Sequence, residues 1–247
     1  MPFAETPLRD EYAAAVERVA RRTLDALRGD GGTTALADPD GAVPRPTLAA
    51  LRVLGADLFA PQLLSGAAPD GPTSVLLAEA RQAFPAPDSA AASADAALVI
   101  AWQDWAAGQV LARTPYGTGA PPPLPPPGPE AVGWQTWSVR MAQLSVLALP
   151  GLDGPVHDTA RAHTLALARG TVRSMLRRDL PTAARLARWL AWAGAEGRPL
   201  RLEVEPVLER IRLAGNGSAR TGLELAVARR LLDRSSRPPT DRRSRVR

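Results

Sequence analysis

Apolar residues recur every three or four positions along most of this 247-residue chain, and runs with a period of two are nearly absent. Spacing of three and four places side chains on one face of an α-helix, whereas a half-buried strand needs strict alternation. The pattern therefore predicts an all-α protein of roughly eight or nine helices in an irregular bundle. Only residues 200–205 alternate well enough to allow one short strand, near Leu200.

Proline and glycine set the predicted helix boundaries, since each interrupts helical backbone in its own way. Asp179 followed by Pro181 is typical of a helix start, with a capping side chain and then a proline in the first turn. The predicted helices cover residues 7–28, 46–58, 73–84, 93–113, 129–149, 156–178, 179–195, 206–214 and 218–234.

A Pro-rich segment at residues 121–129 divides the chain. Most of its residues have no backbone N–H, which favours polyproline II or irregular structure. We interpret it as a semi-rigid spacer, with a ligand for an SH3-like domain as the alternative. The predicted organisation is an acidic helical part (1–113), a spacer (114–129), a basic helical part (130–234) packed with the first into one globule, and a disordered basic tail (235–247).

The composition excludes several classes of function. The chain has no Cys, which rules out disulfides, thiolate nucleophiles and cysteine metal sites. It also has no Lys and a single Asn, a usage typical of a GC-rich bacterial genome, so the abundance of Arg does not by itself indicate phosphate recognition. No signal peptide and no uncharged apolar stretch of about 20 residues is visible. We therefore expect a cytoplasmic protein without a membrane partner.

Charge is divided unevenly along the chain. Residues 1–156 carry ten Arg against sixteen acids, a net charge of −6, whereas residues 157–247 carry twenty Arg against nine acids, a net charge of +11. A basic C-terminal region of this kind favours contact with something anionic.

The basic region contains an ordered stripe and a basic tail. Arginines four residues apart lie on one face of a helix, so Arg169, Arg173 and Arg177 form a stripe, with Arg178 beside it. The stripe could bind a partner, or it could pair with acids of the N-terminal half such as Glu17. The predicted partner-binding residues are Arg169, Arg173, Arg177, Arg178, Arg242, Arg243, Arg245 and Arg247.

Six tryptophans form three pairs with the same spacing of three residues, which places both rings of a pair on one helix face. The first two pairs lie on either side of the Pro-rich segment and could face each other. We favour core packing in a chain with few other bulky residues, with an aromatic-lined pocket as the alternative. The pairs are Trp102 and Trp105, Trp134 and Trp137, and Trp189 and Trp192.

No complete catalytic, metal or nucleotide motif is present, so we expect no cofactor and no metal. The glycine-rich turn at residues 215–222 has Arg220 where a dinucleotide-binding fingerprint needs glycine, and it lacks the Lys of a phosphate-binding loop. His157 and His163 are six residues apart, unlike the spacing of four in a helical zinc pair. His157, flanked by Asp153 and Asp158, is the one candidate for a catalytic base.

These observations together favour a non-enzymatic helical interaction or adaptor protein whose basic C-terminal region contacts an acidic protein partner. One alternative is nucleic-acid binding through the arginine stripe and the tail, which would weaken steeply with salt. A second alternative is an enzyme with a Trp-lined apolar pocket between helices.

Overall fold

The computed structural model describes residues 5–29, 43–86, 93–117, 119–215 and 217–235. The regular elements in these ranges are all helices, which confirms the predicted all-α class. The α-helices are α1 (Glu5–Arg28), α2 (Arg45–Leu54), α3 (Ala60–Ser65), α4 (Gly71–Ala83), α5 (Ala94–Leu111), α6 (Pro129–Val132), α7 (Trp134–Gln143), α8 (Pro155–Ala162), α9 (Thr164–Leu176), α10 (Leu180–Ala195), α11 (Val204–Ala214) and α12 (Ala219–Ser235), with 3-10 helices at Gly55–Phe59 and Ser145–Leu147.

Capping carboxylates explain where two of the helices begin. Asp70 accepts a hydrogen bond from the N–H of Thr73 at the start of α4, and Asp179 accepts one from the N–H of Thr182 at the start of α10. Each cap satisfies an amide that has no partner within the first turn. Both helices also have a proline in that turn, where a missing N–H is tolerated. The predicted helix start at Asp179 and Pro181 is confirmed.

The described residues contain more helices than the eight or nine predicted, because short breaks divide segments that were expected to be continuous. Gly133 separates α6 from α7, and its φ of 77° lies in the left-handed region that favours glycine. His163 separates α8 from α9, so the helix predicted over residues 156–178 is two helices. The spacing of apolar residues indicates which face of a helix is buried, but it does not indicate where a single residue interrupts the helix.

The strand allowed for residues 200–205 is absent, and no strand occurs elsewhere in the described ranges. A lone strand would leave its N–H and C=O groups without partners. Leu200 and Leu202 instead pack against the core from an irregular connection, and α11 already begins at Val204.

One hydrophobic core serves both helical parts of the chain. Leu24 of α1, Leu51 of α2, Trp102 of α5, Trp189 of α10 and Leu223 of α12 are all buried in the same cluster. Helix α12 packs against both α1 and α10 and so connects the first helix with the C-terminal helices.

The Pro-rich segment lies against α5. Trp102 donates from Nε1 to the C=O of Leu124 at 3.1 Å, and Gln109 donates from Nε2 to the C=O of Ala120 at 2.9 Å. Pro126 is buried, whereas Leu124 is exposed. Because proline supplies carbonyl acceptors and no N–H donors, side-chain donors of α5 hold this backbone in place.

A network of buried charges crosses the core. Arg188 of α10 is fully buried and donates to Asp57 Oδ1 at 2.7 Å and to Glu224 Oε2 at 2.9 Å. Its Nε donates to the C=O of Ala148 at 3.2 Å, and Ser145 Oγ donates to Glu224 Oε1 at 3.0 Å. Asp57 lies 131 residues from Arg188 in sequence, so the network joins the acidic part of the chain to α10 and α12.

The opposite charges keep Arg188 and Glu224 ionised. Burial acts to lower the pKa of Arg188, but Asp57 and Glu224 outweigh it, and the pKa is raised. Burial acts to raise the pKa of Glu224, but the charges of Arg188, Arg220 and Arg185 outweigh it, and the pKa is lowered. Glu224 is therefore a fixed anion and a poor candidate for a general base.

One helical stretch of the described chain, Arg45–Ser65, is long and apolar enough to cross a membrane by length and composition. Within the fold, 67% of its most apolar window is buried. A core helix of a globular protein passes the same test, and in this stretch the 3-10 helix Gly55–Phe59 separates α2 from α3.

We expect the substitution Arg188→Met to lower the free energy of unfolding by about 3–5 kcal/mol, because it removes the buried cation that is hydrogen-bonded to both Asp57 and Glu224. Chemical denaturation followed by circular dichroism measures the change. The matched control is Arg212→Met, which removes an exposed partner of Glu209 and should change stability little. Equal, small effects for both variants would contradict a structural role for the network.

Candidate functional site

The predicted arginine stripe lies at the surface of the fold, with Arg169 and Arg173 on α9 and with Arg177 and Arg178 directly after its last residue. Arg169, Arg177 and Arg178 are exposed, and Arg173 is half-buried. Successive members of the stripe lie about 6 Å apart along the helix axis. None of these four arginines forms an ion pair with an acid in the described part of the chain.

Among the side chains that the structure describes, the acidic residues of α1 do not neutralise the arginine stripe. Glu17 accepts hydrogen bonds from Ser218 Oγ at 2.8 Å and from the N–H of Ala219 at 2.6 Å. Both donors lie at the start of α12, where a negative charge is favourable. The contact between the acidic and basic parts of the chain therefore uses α12 and Arg188 rather than the stripe.

Apolar side chains share the exposed face of α9 with the arginines. Leu165 and Val172 are exposed, and Leu176 is 81% exposed. The guanidinium of Arg173 lies 5.7 Å from the centre of the Trp134 ring, a cation–π contact that orients it. The face therefore combines positive charge with apolar area that the described fold leaves exposed.

A groove of about 570 Å³ opens at the C-terminal end of α9. Its apolar lining includes Met175, Leu176 and Leu180, and Arg178 and Arg210 add two cations. The groove continues the exposed face of α9 onto α10 and α11. We call the combined area the basic–apolar surface, which consists of Leu165, Arg169, Val172, Arg173, Met175, Leu176, Arg177, Arg178, Leu180 and Arg210.

Arg178 has an unusual backbone conformation in this surface. Its φ of 58° lies in the left-handed region, which costs a residue other than glycine about 1–2 kcal/mol. The N–H of Asp179 donates to the C=O of Ser174 at 2.9 Å, and the N–H of Arg178 donates to the C=O of Met175 at 3.1 Å. This is a helix ending that normally has glycine in the position of Arg178.

The tryptophan pairs lie in the core rather than around a cavity. The rings of Trp102 and Trp105 meet edge to face at 5.2 Å, and those of Trp189 and Trp192 meet at 5.5 Å. In the remaining pair, Trp134 is half-buried, and Trp137 contacts the ring of His163 at 5.7 Å. The groove at the C-terminal end of α9 has no tryptophan in its lining. The fully or almost fully buried rings are those of Trp102, Trp105, Trp137, Trp189 and Trp192.

His157 is enclosed by the core. Its Nε2 lies 3.0 Å from the C=O of Leu147 and donates to it, while its Nδ1 is buried without a partner. The ring packs against Trp189 and Trp192 at 5.5 and 5.1 Å. Burial lowers the pKa of His157 below its ordinary value of 6.5. The imidazole is therefore neutral and out of contact with solvent, which does not suit a catalytic base.

The carboxylates beside His157 pair with Arg161 instead of orienting the imidazole. Arg161 donates to Asp153 and to Asp158, each at 2.9 Å. The described residues contain no group of three or more His, Cys, Asp or Glu side chains that could hold a metal ion. The surroundings of His157 thus offer neither an acid–base pair nor a metal centre.

Sequence reasoning missed part of the basic–apolar surface. Leu165, Val172 and Leu176 lie three, four or seven residues from the arginines of the stripe, and this spacing could have placed them on the same face. Arg210 carries no such signal, because α11 meets the end of α9 only through the tertiary fold. The predicted tail residues Arg242, Arg243, Arg245 and Arg247 lie outside the described residues.

The lowered pKa of His157 predicts acid sensitivity. Because the pKa of His157 is lower in the folded protein, this residue takes up a proton at a higher pH in the unfolded chain than in the folded chain. The free energy of unfolding should therefore fall as the pH is lowered through 6.5 and below, by up to about 1.4 kcal/mol per pH unit from this residue. The variant His157→Gln should show a shallower fall in denaturation experiments across this range. Equal slopes for the two proteins would contradict the prediction.

Comparisons with protein-family models, with curated proteins and with solved structures found no match for this chain. The function must therefore be inferred from the geometry of the described residues. Among the predicted site residues, the exposed arginines of α9 are the ones that the fold leaves available for a ligand.

Proposed function

We propose that this chain is a non-enzymatic helical interaction protein that binds an acidic partner through the basic–apolar surface. The observation that supports it is a set of arginines on α9 and at its C-terminal end, without acidic partners in the described chain and interleaved with exposed apolar side chains. Arginine and apolar contacts on one rigid helix favour a specific interface, because charge guides association and apolar burial holds the complex.

An acidic amphipathic helix fits this surface best. Such a helix can place carboxylates opposite Arg169, Arg173 and Arg177 while its apolar side chains cover Leu176 and Val172. The groove beside Arg178 can accept one larger apolar side chain as an anchor, the arrangement that contributes most to binding at protein interfaces.

Nucleic acid is a second candidate ligand, because arginines without ion-pair partners also suit phosphate groups. The exposed side chains of Leu165, Val172 and Leu176 favour a protein partner, since a phosphate backbone would leave them uncovered. The basic–apolar surface also has no exposed aromatic ring on which a base could stack.

An enzyme with a Trp-lined pocket, the remaining alternative, receives no support from the site geometry. The rings of Trp102, Trp137 and Trp189 are fully buried in the core. The candidate base His157 is enclosed between two of the tryptophans of α10.

We expect a designed amphipathic helical peptide with Glu and Leu faces to bind this protein. The triple variant Arg169→Gln, Arg173→Gln and Arg177→Gln should weaken binding roughly tenfold, since three partly exposed charge pairs are lost. Raising the salt concentration should weaken wild-type binding as well. Fluorescence anisotropy of a labelled peptide measures both effects.

The matched control replaces Arg9, Arg18 and Arg21, three exposed arginines of α1, with Gln. It makes the same change in net charge at a different place and should leave peptide affinity almost unchanged. A variant lacking residues 236–247 separates the contribution of the tail. Equal losses in the two triple variants would contradict a specific site on α9, and tighter binding of a duplex oligonucleotide than of the peptide would favour the nucleic-acid alternative.

A further inference from the structure

A second opening, distinct from the basic–apolar surface, lies above the buried charge network. It is a cleft of about 780 Å³ between α1, α2, α5, α7, α10 and α12. Its volume is in the range of small-molecule sites. Its apolar walls include Val16, Val53, Val99, Ile100 and Val139, and Arg140, Arg185, Arg220 and Ser145 contribute its polar part.

Two of these arginines converge on one point of the network. Arg185 Nε and Arg220 Nε each lie 3.8 Å from Glu224 Oε1, which already accepts a hydrogen bond from Ser145. At that distance the guanidinium groups are attracted by Glu224 without being hydrogen-bonded to it. Arg220 also lies 3.9 Å from Asp57 Oδ2. Both side chains therefore keep donors that a ligand can use.

Arg140 supplies a further unused donor at the cleft. Its side chain is only 7% exposed, and its Nη2 pairs with Asp95 at 2.7 Å. Its Nη1 is buried and has no hydrogen-bond partner, and Arg220 Nε is in the same state. Buried donors without partners are unfavourable unless a ligand or water satisfies them. A ligand acceptor in the cleft would satisfy these groups.

The side chains around the cleft have a net positive charge, and this charge indicates the charge of the ligand. Arg185, Arg188 and Arg220 face the two carboxylates of Asp57 and Glu224, which leaves one positive charge. The pair of Arg140 with Asp95 adds no net charge. A singly charged anion balances this site, whereas a doubly charged phosphate monoester would exceed it.

The apolar rim of the cleft indicates that the ligand also has an apolar part. Val53 and Val139 are 55% and 54% exposed, although both line the cleft. Covering such side chains with an apolar chain is favourable in proportion to the area removed from water. We propose that the cleft binds an amphiphilic carboxylate, with its head on Arg140, Arg185 and Arg220 and its apolar chain along the valines.

Isothermal titration calorimetry with decanoate tests this proposal. Decanoate should bind, and decanol, which lacks the charge, should bind at least tenfold more weakly. Arg220→Gln should weaken decanoate binding at least tenfold, because it removes a guanidinium from the head-group site. Val139→Glu should weaken it as well, by placing a negative charge on the apolar wall at an exposed position that folding does not require.

Two controls make the test specific. Val75→Glu introduces the same charge at an exposed valine of α4, away from the cleft, and should leave decanoate affinity unchanged. The triple α9 variant should also bind decanoate like the wild type, which separates this site from the basic–apolar surface. Circular dichroism establishes that each variant is folded. The proposal is overturned if decanoate does not bind, if decanol or decyl phosphate binds as tightly, or if Arg220→Gln and Val139→Glu both keep wild-type affinity.

Discussion

Arg188 must keep two carboxylates within hydrogen-bond distance, because a fully buried guanidinium without counter-charges would be strongly unfavourable in the core. Asp57 comes from the acidic part of the chain, and Glu224 comes from α12. Their positions fix how α10 and α12 sit against the 3-10 helix Gly55–Phe59. The remaining hydrophobic core is made largely of Leu, Ala and Trp, and its buried side chains carry no charge that needs a partner of opposite sign.

The network also explains how the uneven charge of the chain is used. One arginine of the basic part is neutralised inside the core, and Arg185 and Arg220 lie at the edge of that network. By contrast, Arg169, Arg177 and Arg178 are exposed and have no acidic partner in the described ranges. Within the described ranges, positive charge is therefore available to a ligand at two places with different chemistry, the basic–apolar surface and the cleft.

Periodicity was enough to predict the helical class, because burial of one helix face imposes a regular apolar spacing. The stripe of Arg169, Arg173 and Arg177 was likewise predictable, since spacing of four is a local property of a helix. The pairing of Arg188 with Asp57 was not, because residues 131 positions apart carry no spacing signal in a single sequence. The breaks at Gly133 and His163 were not predicted, because each is shorter than the spacing of three or four residues on which the helix prediction rests.

Chemical modification of the folded protein with an arginine-selective dicarbonyl reagent tests this division of the arginines most directly. Mass spectrometry of the digested product gives the extent of modification at each site. Arg169 and Arg177 should react nearly as fast as in the unfolded chain, whereas Arg188 should stay unmodified until the protein is denatured. Protection of Arg169 and Arg177 equal to that of Arg188, or rapid modification of Arg188 in the folded protein, would contradict the assignment.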